Sequence, residues 1–338
     1  MYDYVFVTHL PSFYKVNLYN ELAKHLRIHV VFIGQGSTIR TKDFVPSAYL
    51  FDYTFLTNGE FETRSRFRSI LRFACFILKT KYKKMVVGGW DLPEFWLAFF
   101  LNPAGKFSMA LESTSEESTI HGLKGRIKKV FLSKVDLVFA TGKAHVKLLS
   151  QLGYQGAVRI THGVGLINRT KNSIISKTYE KKFLYLGRLS PEKNLDFLIA
   201  VFKSLPNCRL TMVGSGPMKE CLINNATSNI VFIDHVPNNS LFDVFQANDF
   251  LILASLSEPW GLVVEEALHF GRPVLISERC GAAELIHERN GFKFNPESPD
   301  QLEKIIRSID DGIFQELQKN IQCEDDEERG RLQVQCYI

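Results

Sequence analysis

At 338 residues the chain is long for one hydrophobic core, and two domains are expected. Hydrophobic content of 45% with 23% charged residues describes a globular protein, and no segment approaches the ~18–20 uninterrupted apolar residues of a membrane-spanning helix. The six cysteines, at 75, 208, 221, 280, 323 and 336, form no Cys-x-x-Cys pair and have no histidine at metal spacing, so neither zinc nor a disulfide framework is indicated and a reducing cytoplasm fits.

Met1–Val7 is apolar but lacks a basic start and reaches Pro11 within ten residues, so it reads as a first strand and not as a signal peptide. Apolar runs at Tyr4–Val7, Ile28–Ile33, Met85–Val87, Phe107–Leu111, Leu137–Ala140 and Val158–Ile160 are predicted strands. Helical spacing falls between them at Lys15–His25, Arg64–Lys79, Glu94–Leu101, Leu123–Leu132 and Lys143–Leu152. That alternation predicts a parallel, doubly wound sheet over residues 1–167.

Charge divides the chain. Residues 1–170 carry a net +11 and residues 171–338 a net −6, so the two halves face different partners. The excess is densest over 64–84, where eight Lys or Arg occur without an acid, interleaved with Phe67, Ile70, Leu71, Ile77 and Leu78 at helical spacing. This is a basic amphipathic helix. It fits peripheral contact with an anionic membrane surface, or an ordinary domain helix with its stripe in the core. No nucleic-acid-binding motif accompanies the charge, and nucleic acid is not an expected partner.

The polar stretch 168–182 reads as a linker, and a second alternating series follows over 183–322. Its strands are predicted at Phe183–Leu186, Arg209–Val213, Ile230–Ile233, Phe250–Leu253 and Val274–Ile276. Its helices are predicted at Asn194–Leu205, Met218–Asn225, Ser240–Ala247, Gly261–Phe270 and Asp300–Ile309. Two such domains would enclose a cleft. Residues 323–338, CEDDEERGRLQVQCYI, are acidic and show no packing stripe.

Three motifs lie at the carboxyl ends of predicted strands, where open parallel sheets bind ligands. In Gly187-Arg188-Leu189-Ser190-Pro191-Glu192-Lys193-Asn194, Gly187 permits a turn, and Arg188 and Lys193 can converge on phosphate oxygens. Solvated loop charges with Asn194 as a helix cap are the plainer alternative. Val213-Gly214-Ser215-Gly216-Pro217 is a glycine turn that would let backbone approach a nucleotide, or a turn with no ligand. It fails as a dinucleotide fingerprint because Lys219 stands at the third glycine position. In Glu258-Pro259-Trp260-Gly261-Leu262-Val263-Val264-Glu265-Glu266, two carboxylates stand eight residues apart, one just before a helix and one inside it, about two turns from the first. Glu258 can grip a sugar and Glu266 a ribose, with the amides of the helix start suited to a diphosphate between them.

GRLSPEKN, VGSGP, EPWGLVVEEAL and Gly271-Arg272-Pro273 with the strand behind it, in this order and spacing, resemble the retaining glycosyltransferases of family 4, which have the GT-B fold. The match covers about residues 183–295. The first half resembles that family's acceptor domain in layout, and GGWDLPEFW and LESTSEES look like segments of bacterial surface-polysaccharide members, lipopolysaccharide synthesis included. The resemblance implies two Rossmann-like domains, 1–167 binding acceptor and 183–322 binding nucleotide sugar. It implies that Arg188 and Lys193 bind the donor diphosphate, Glu258 the sugar hydroxyls and Glu266 the ribose, with Gly261, Leu262 and Val263 offering amides and Gly187, Gly214 and Gly216 shaping the donor loops. It further implies hexosyl transfer from a UDP- or GDP-sugar without metal or other cofactor, with retained anomeric configuration. The acceptor would be a glycan, lipid-linked, at the inner face of the plasma membrane.

The chain departs from the family's pattern at three places. The first loop, His9–Lys15, lacks the common glycine pair, Glu112 stands where many members carry a histidine, and the tail differs from the closing helix usual in this fold. Glu112 is a candidate for the acceptor or sugar side, and His121, His145 and His162 are further candidates that single histidines in a core would also explain. A sugar-nucleotide 2-epimerase shares the fold but needs acid and base groups near the sugar. A non-catalytic binder of a glycan or partner enzyme is the other class.

Overall fold

Apolar runs of four to seven residues cannot bury both faces alone, and in this protein they assemble into two parallel sheets, each covered by helices. The computed structural model describes residues 1–38, 48–167, 178–323 and 326–338. Most of the expected linker, and Glu324 and Asp325 of the acidic run, lie outside the described residues. The chain forms two compact units, one of Met1–Asn168 with Glu327–Ile338 and one of Arg169–Asp326.

In the first unit the elements in chain order are β1 (Tyr2–Thr8), α1 (Phe13–Ala23), β2 (Ile28–Phe32), β3 (Asp52–Phe55), α2 (Arg66–Lys79), β4 (Tyr82–Val87), α3 (Pro93–Leu101) and β5 (Phe107–Leu111). α4 (Gly122–Leu132), β6 (Leu137–Ala140), α5 (Lys143–Gln151) and β7 (Ala157–Ile160) follow. The sheet order is β3-β2-β1-β4-β5-β6-β7, all parallel. One face is covered by α2, α3, α4 and α5, whose Phe73, Phe95, Phe131 and Leu148 share a core with Val5, Val7 and Val31. The other face packs α1 through Val16, Leu18 and Leu22.

The second unit contains β8 (Lys182–Leu186), α6 (Leu195–Lys203), β9 (Arg209–Val213), α7 (Lys219–Asn225), β10 (Ile230–Ile233), α8 (Leu241–Gln246) and β11 (Phe250–Leu253). It continues with α9 (Leu262–His269), β12 (Val274–Ser277), β13 (Gly291–Phe294), α10 (Pro299–Ser308) and α11 (Asp311–Cys323). Its sheet order is β10-β9-β8-β11-β12-β13, again parallel. The order reverses between β8 and β11, so the loops after those two strands diverge to opposite sides and leave room above the sheet for a ligand.

Three expectations need correction. Strands β3 (DYTF) and β13 (GFKF) were not expected from the sequence; both are edge strands whose short alternation carries too little apolar signal. Of the expected α2 stripe, Ile77 is buried and Ile70 half-buried, but Phe67, Leu71 and Leu78 are exposed, and Ser69 and Phe73 complete the buried face instead. The tail does present a packing stripe. α12 (Asp326–Gln335) and the residues after it bury Gly330, Gln333 and Tyr337 against the first unit. Tyr337 stacks on Phe139 with centroids 4.2 Å apart and meets Phe6 edge-on, while the Gln333 side chain donates to the Gly163 carbonyl at 2.8 Å. A glycine, a glutamine and one tyrosine are a stripe that hydrophobicity does not reveal.

Candidate functional site

The loop after β8 is shaped from beneath. Tyr185 is wholly buried and its hydroxyl donates to the Arg188 carbonyl at 2.7 Å, fixing the turn at Gly187. Leu189 and Ser190 are buried, so the loop is anchored, and Asn194 takes a left-handed conformation (φ 56°) to enter α6. Its side chain donates to the Pro296 carbonyl at 2.9 Å and does not cap the helix. Arg188 points its charge outward and makes no ion pair or side-chain hydrogen bond among the described residues.

The glycines after β9 serve this loop first. A Cβ on Gly214 would lie 1.9 Å from the Gly187 carbonyl oxygen, and one on Gly216 would lie 2.3 Å from that of Leu189. Leu189 donates its amide to Ser215 at 2.9 Å and Met218 donates to Leu189 at 3.1 Å. The two loops are therefore stitched backbone to backbone, and close loop packing accounts for glycine here without a ligand.

Glu258 lies in the loop after β11, which is held from two sides. Leu256 donates to the Glu192 carbonyl at 2.9 Å, joining it to the β8 loop. Gly281 donates to the Glu258 carbonyl at 2.9 Å and Ala282 to that of Trp260 at 2.8 Å, joining it to the segment after β12. Gly281 must be glycine, since a Cβ there would lie 1.9 Å from the Pro259 carbonyl oxygen. Lys193 forms an ion pair with Glu258, with both side chains largely buried. Two residues expected to meet different parts of a donor, Lys193 the diphosphate and Glu258 the sugar, are thus partners of each other in this structure.

Gly261 caps α9 in the left-handed region (φ 98°), a conformation that costs other residues steric strain. Gly261, Leu262 and Val263 are half-buried, and their amides donate to no acceptor among the described residues. The three glutamates near them divide into different roles. Glu265 is buried and accepts a 2.6 Å bond from the Trp260 indole, a structural part. The Glu266 side chain has no hydrogen-bond partner among the described residues. Its carboxyl retains an accessible edge within dense protein surroundings, and burial, with Glu265 beside it, pushes its pKa up to about 8.

Two further groups had no distinctive sequence signal. The Ser257 hydroxyl, next to Glu258, is buried without a partner among the described residues, as unsatisfied polar groups at binding sites often are. Arg272 of the Gly-Arg-Pro segment is 1% exposed and donates to the Phe245 and Gln246 carbonyls at 3.0 and 3.2 Å, so it ties α8 to the end of α9 and takes no ligand.

Glu112 belongs to the first unit, just past β5. Lys15 pairs with it at 2.7 Å and donates to the Thr8 hydroxyl at 3.2 Å. Beside them is a small cavity of about 30 Å³, the size of one water, bounded by Thr8, Lys15, Gly88, Glu112 and Tyr337. His9 and Asp91, from the loops after β1 and β4, meet at 3.1 Å. Burial works to raise the Asp91 pKa, but the His9 hydrogen bond, its charge and Lys15 outweigh it and hold the carboxyl below its usual value. His145 is wholly buried and burial pushes its pKa down to about 4, so it is a neutral core group; His121 is exposed at the start of α4. Among the described residues no group of three or more His, Cys, Asp or Glu is arranged to hold a metal ion.

Residues 167–322 match the family model described as glycosyl transferases group 1. A glycosyltransferase of Methanocaldococcus jannaschii, itself uncharacterised, is 31% identical over 156 residues, covering 43% of this chain and 40% of the relative. The chain spans less than half the length of the first curated relatives it matches. Sucrose-phosphate synthase from Thermosynechococcus elongatus has the same fold with a TM-score of 0.73 at 18% identity, over 97% of this chain and 94% of that one. Anabaena HepE, solved in complex with UDP-glucose, has a TM-score of 0.71 at 15% identity, over 99% of each chain. The chain has the GT-B fold, and over residues 167–322 its sequence is similar to the glycosyl transferases group 1 family.

Proposed function

We propose that the protein transfers a sugar from a nucleoside-diphosphate sugar to a glycan acceptor, with the donor held on the second unit. The observation that carries this is the conjunction, in one stitched set of loops and the helix they lead into, of the Lys193–Glu258 pair, the α9 amides of Leu262 and Val263 that meet no acceptor among the described residues, and the unpartnered Glu266 side chain. Arg188 and Lys193 neutralise a diphosphate, and the α9 amides add donors for it. Glu258 accepts from sugar hydroxyls, with Lys193 holding its orientation, and Glu266 accepts from the ribose. Cations and amides held near a leaving diphosphate would stabilise charge as it develops, which is the main task in breaking a bond to such a group. Transfer with retained configuration and without metal is part of the reading. The acceptor side lies on the first unit, where Glu112 is the candidate, and the acceptor is a lipid-linked bacterial surface glycan.

A membrane contact through residues 64–84 completes the reading, with the protein at the inner face of the plasma membrane. It is supported by Phe67, Leu71 and Leu78, exposed beside Arg66, Arg68, Arg72 and Lys79 on α2. Arg64 is not available for it, since it is buried in an ion pair with Glu94 at 3.1 Å.

Thermal shift against UDP-, GDP- and ADP-sugars, followed by product analysis with and without glycan acceptors and with chelator, tests the proposal. Acceptor-dependent donor consumption is expected, undiminished by chelator. Conversion of the donor without acceptor would mark an epimerase, and binding without turnover a non-catalytic protein; either result defeats the proposal.

A further inference from the structure

α4 is a helix turned the wrong way for a core element. Of its eleven residues only Gly125, Phe131 and Leu132 are buried. Leu123, Ile127 and Val130 recur at spacings of four and three, which places them on one face, and they are 74, 43 and 54% exposed. Lys124, Arg126 and Lys129 flank them, and the helix has no acid. Nor can it roll to hide the stripe. Phe131 is locked against Trp96 and Phe99, with centroids 4.9 and 5.6 Å apart, and a Cβ on Gly125 would lie 2.0 Å from the Ile120 carbonyl oxygen.

The stripe has neighbours of the same character. α2, α3 and α4 cover the same face of their sheet, with α3 linked to α2 by the Ser69 hydroxyl donating to Glu94 at 2.6 Å and to α4 by Phe99–Phe131. Phe100, at the end of α3, is 69% exposed. α2 and α4 together carry eight Lys or Arg and no Asp or Glu. Apolar groups bordered by cations, on helices lying along a surface, match a layer that is negatively charged outside and hydrocarbon inside.

We propose that α4 is a second lipid-docking element, acting with α2 across α3, so that the outer surface of these three helices rests on an anionic bilayer. The inference rests on the membrane contact proposed for residues 64–84 and extends it to residues outside that segment.

The test is co-sedimentation of the full chain with phosphatidylcholine vesicles containing or lacking phosphatidylserine. The wild type is expected to bind the anionic vesicles selectively. Leu123→Gln/Ile127→Gln should weaken that binding about 10-fold or more, as should Phe67→Gln/Leu78→Gln, because each removes two apolar side chains from the lipid boundary. Lys124→Glu/Lys129→Glu, fully at the surface, gives a second route should the first pair fold poorly. Nucleotide binding should be unchanged in all three. If both α4 variants bind like the wild type while the α2 variant does not, α4 docking is overturned and the 64–84 contact stands. If the wild type ignores anionic vesicles, both are overturned. Loss of lipid-independent self-association in the α4 variants would assign the stripe to a second copy of this chain and also overturn the inference.

Discussion

Lys193 and Glu258, 65 residues apart in sequence, form an ion pair that joins the loop after β8 to the loop after β11. The cation expected to meet phosphate and the carboxylate expected to meet sugar therefore hold each other in place before any ligand arrives. Removing either leaves a largely buried charge alone, which is more costly than removing both.

Lys193→Met should lower stability by about 1–3 kcal/mol, and Glu258→Gln by less, since the amide still accepts from the ammonium. The double variant should recover much of the loss, and a double-mutant cycle in chemical denaturation measures the coupling. Additive single effects would mean that the pair contributes nothing. In catalysis, Glu258→Gln should slow transfer more than it weakens nucleotide binding.

Glu266 gives a pH dependence of definite sign. Its pKa is raised to about 8 in the folded protein from the ordinary 4.5, so between those values the folded state holds more protons than the unfolded state. Its contribution to stability is full below the unfolded value and is lost as pH rises through the folded value. Glu266→Gln should flatten that part of the stability profile. Because an ionised carboxylate is the better acceptor for a ribose diol, nucleotide affinity should rise from roughly pH 7 to 9 in the wild type and stay level in the variant. A wild-type affinity that is level over this range would remove the ribose assignment. Glu266→Ala should cost about 1–3 kcal/mol of donor binding.

Gly214→Ala tests the stitched loops. The added methyl would collide with the Gly187 carbonyl, so the loop bearing Arg188 must move. A loss of about 2 kcal/mol or more is expected, with weakened nucleotide binding. Unaltered thermal stability and affinity would show that the close approach is dispensable. Ser215→Ala, at the same turn, should leave both nearly unchanged.

Tyr337→Ala should destabilise the protein by about 3–5 kcal/mol, the range for losing a buried large aromatic side chain. Its ring fills space against Phe139 and Phe6, and that loss is readable in thermal unfolding. A drop under about 1 kcal/mol would mark the last helix as peripheral.

The legible and illegible parts of the protein differ for physical reasons. Central strands such as FLILA and KFLYL announce themselves because both faces are buried, and the glycines and charges at their ends fall where ligands bind. Lys193 and Glu258 stand out in sequence because each lies in a loop just past a strand, and these two loops meet in the fold. That Lys193 faces Glu258, that Glu265 holds Trp260 and that Gly281 backs the Glu258 loop depend on chain segments meeting across the fold, which no local pattern records. Likewise only part of the α2 stripe faces inward, Ile77 buried and Phe67, Leu71 and Leu78 exposed, because a helix with apolar residues on two faces has an ambiguous stripe. Gly330, Gln333 and Tyr337 escaped notice because shape and one hydrogen bond, not hydrophobicity, seat them.

The bonds from Leu189 to Ser215, from Leu256 to Glu192 and from Gly281 to Glu258 tie four strand ends into a single backbone lattice. Little conformational freedom then remains in that lattice for a bound molecule to remove, so most of the free energy of each new contact should appear as affinity. Exchanging side chains on such a rigid frame would change which ligand is preferred without requiring the frame itself to be rebuilt.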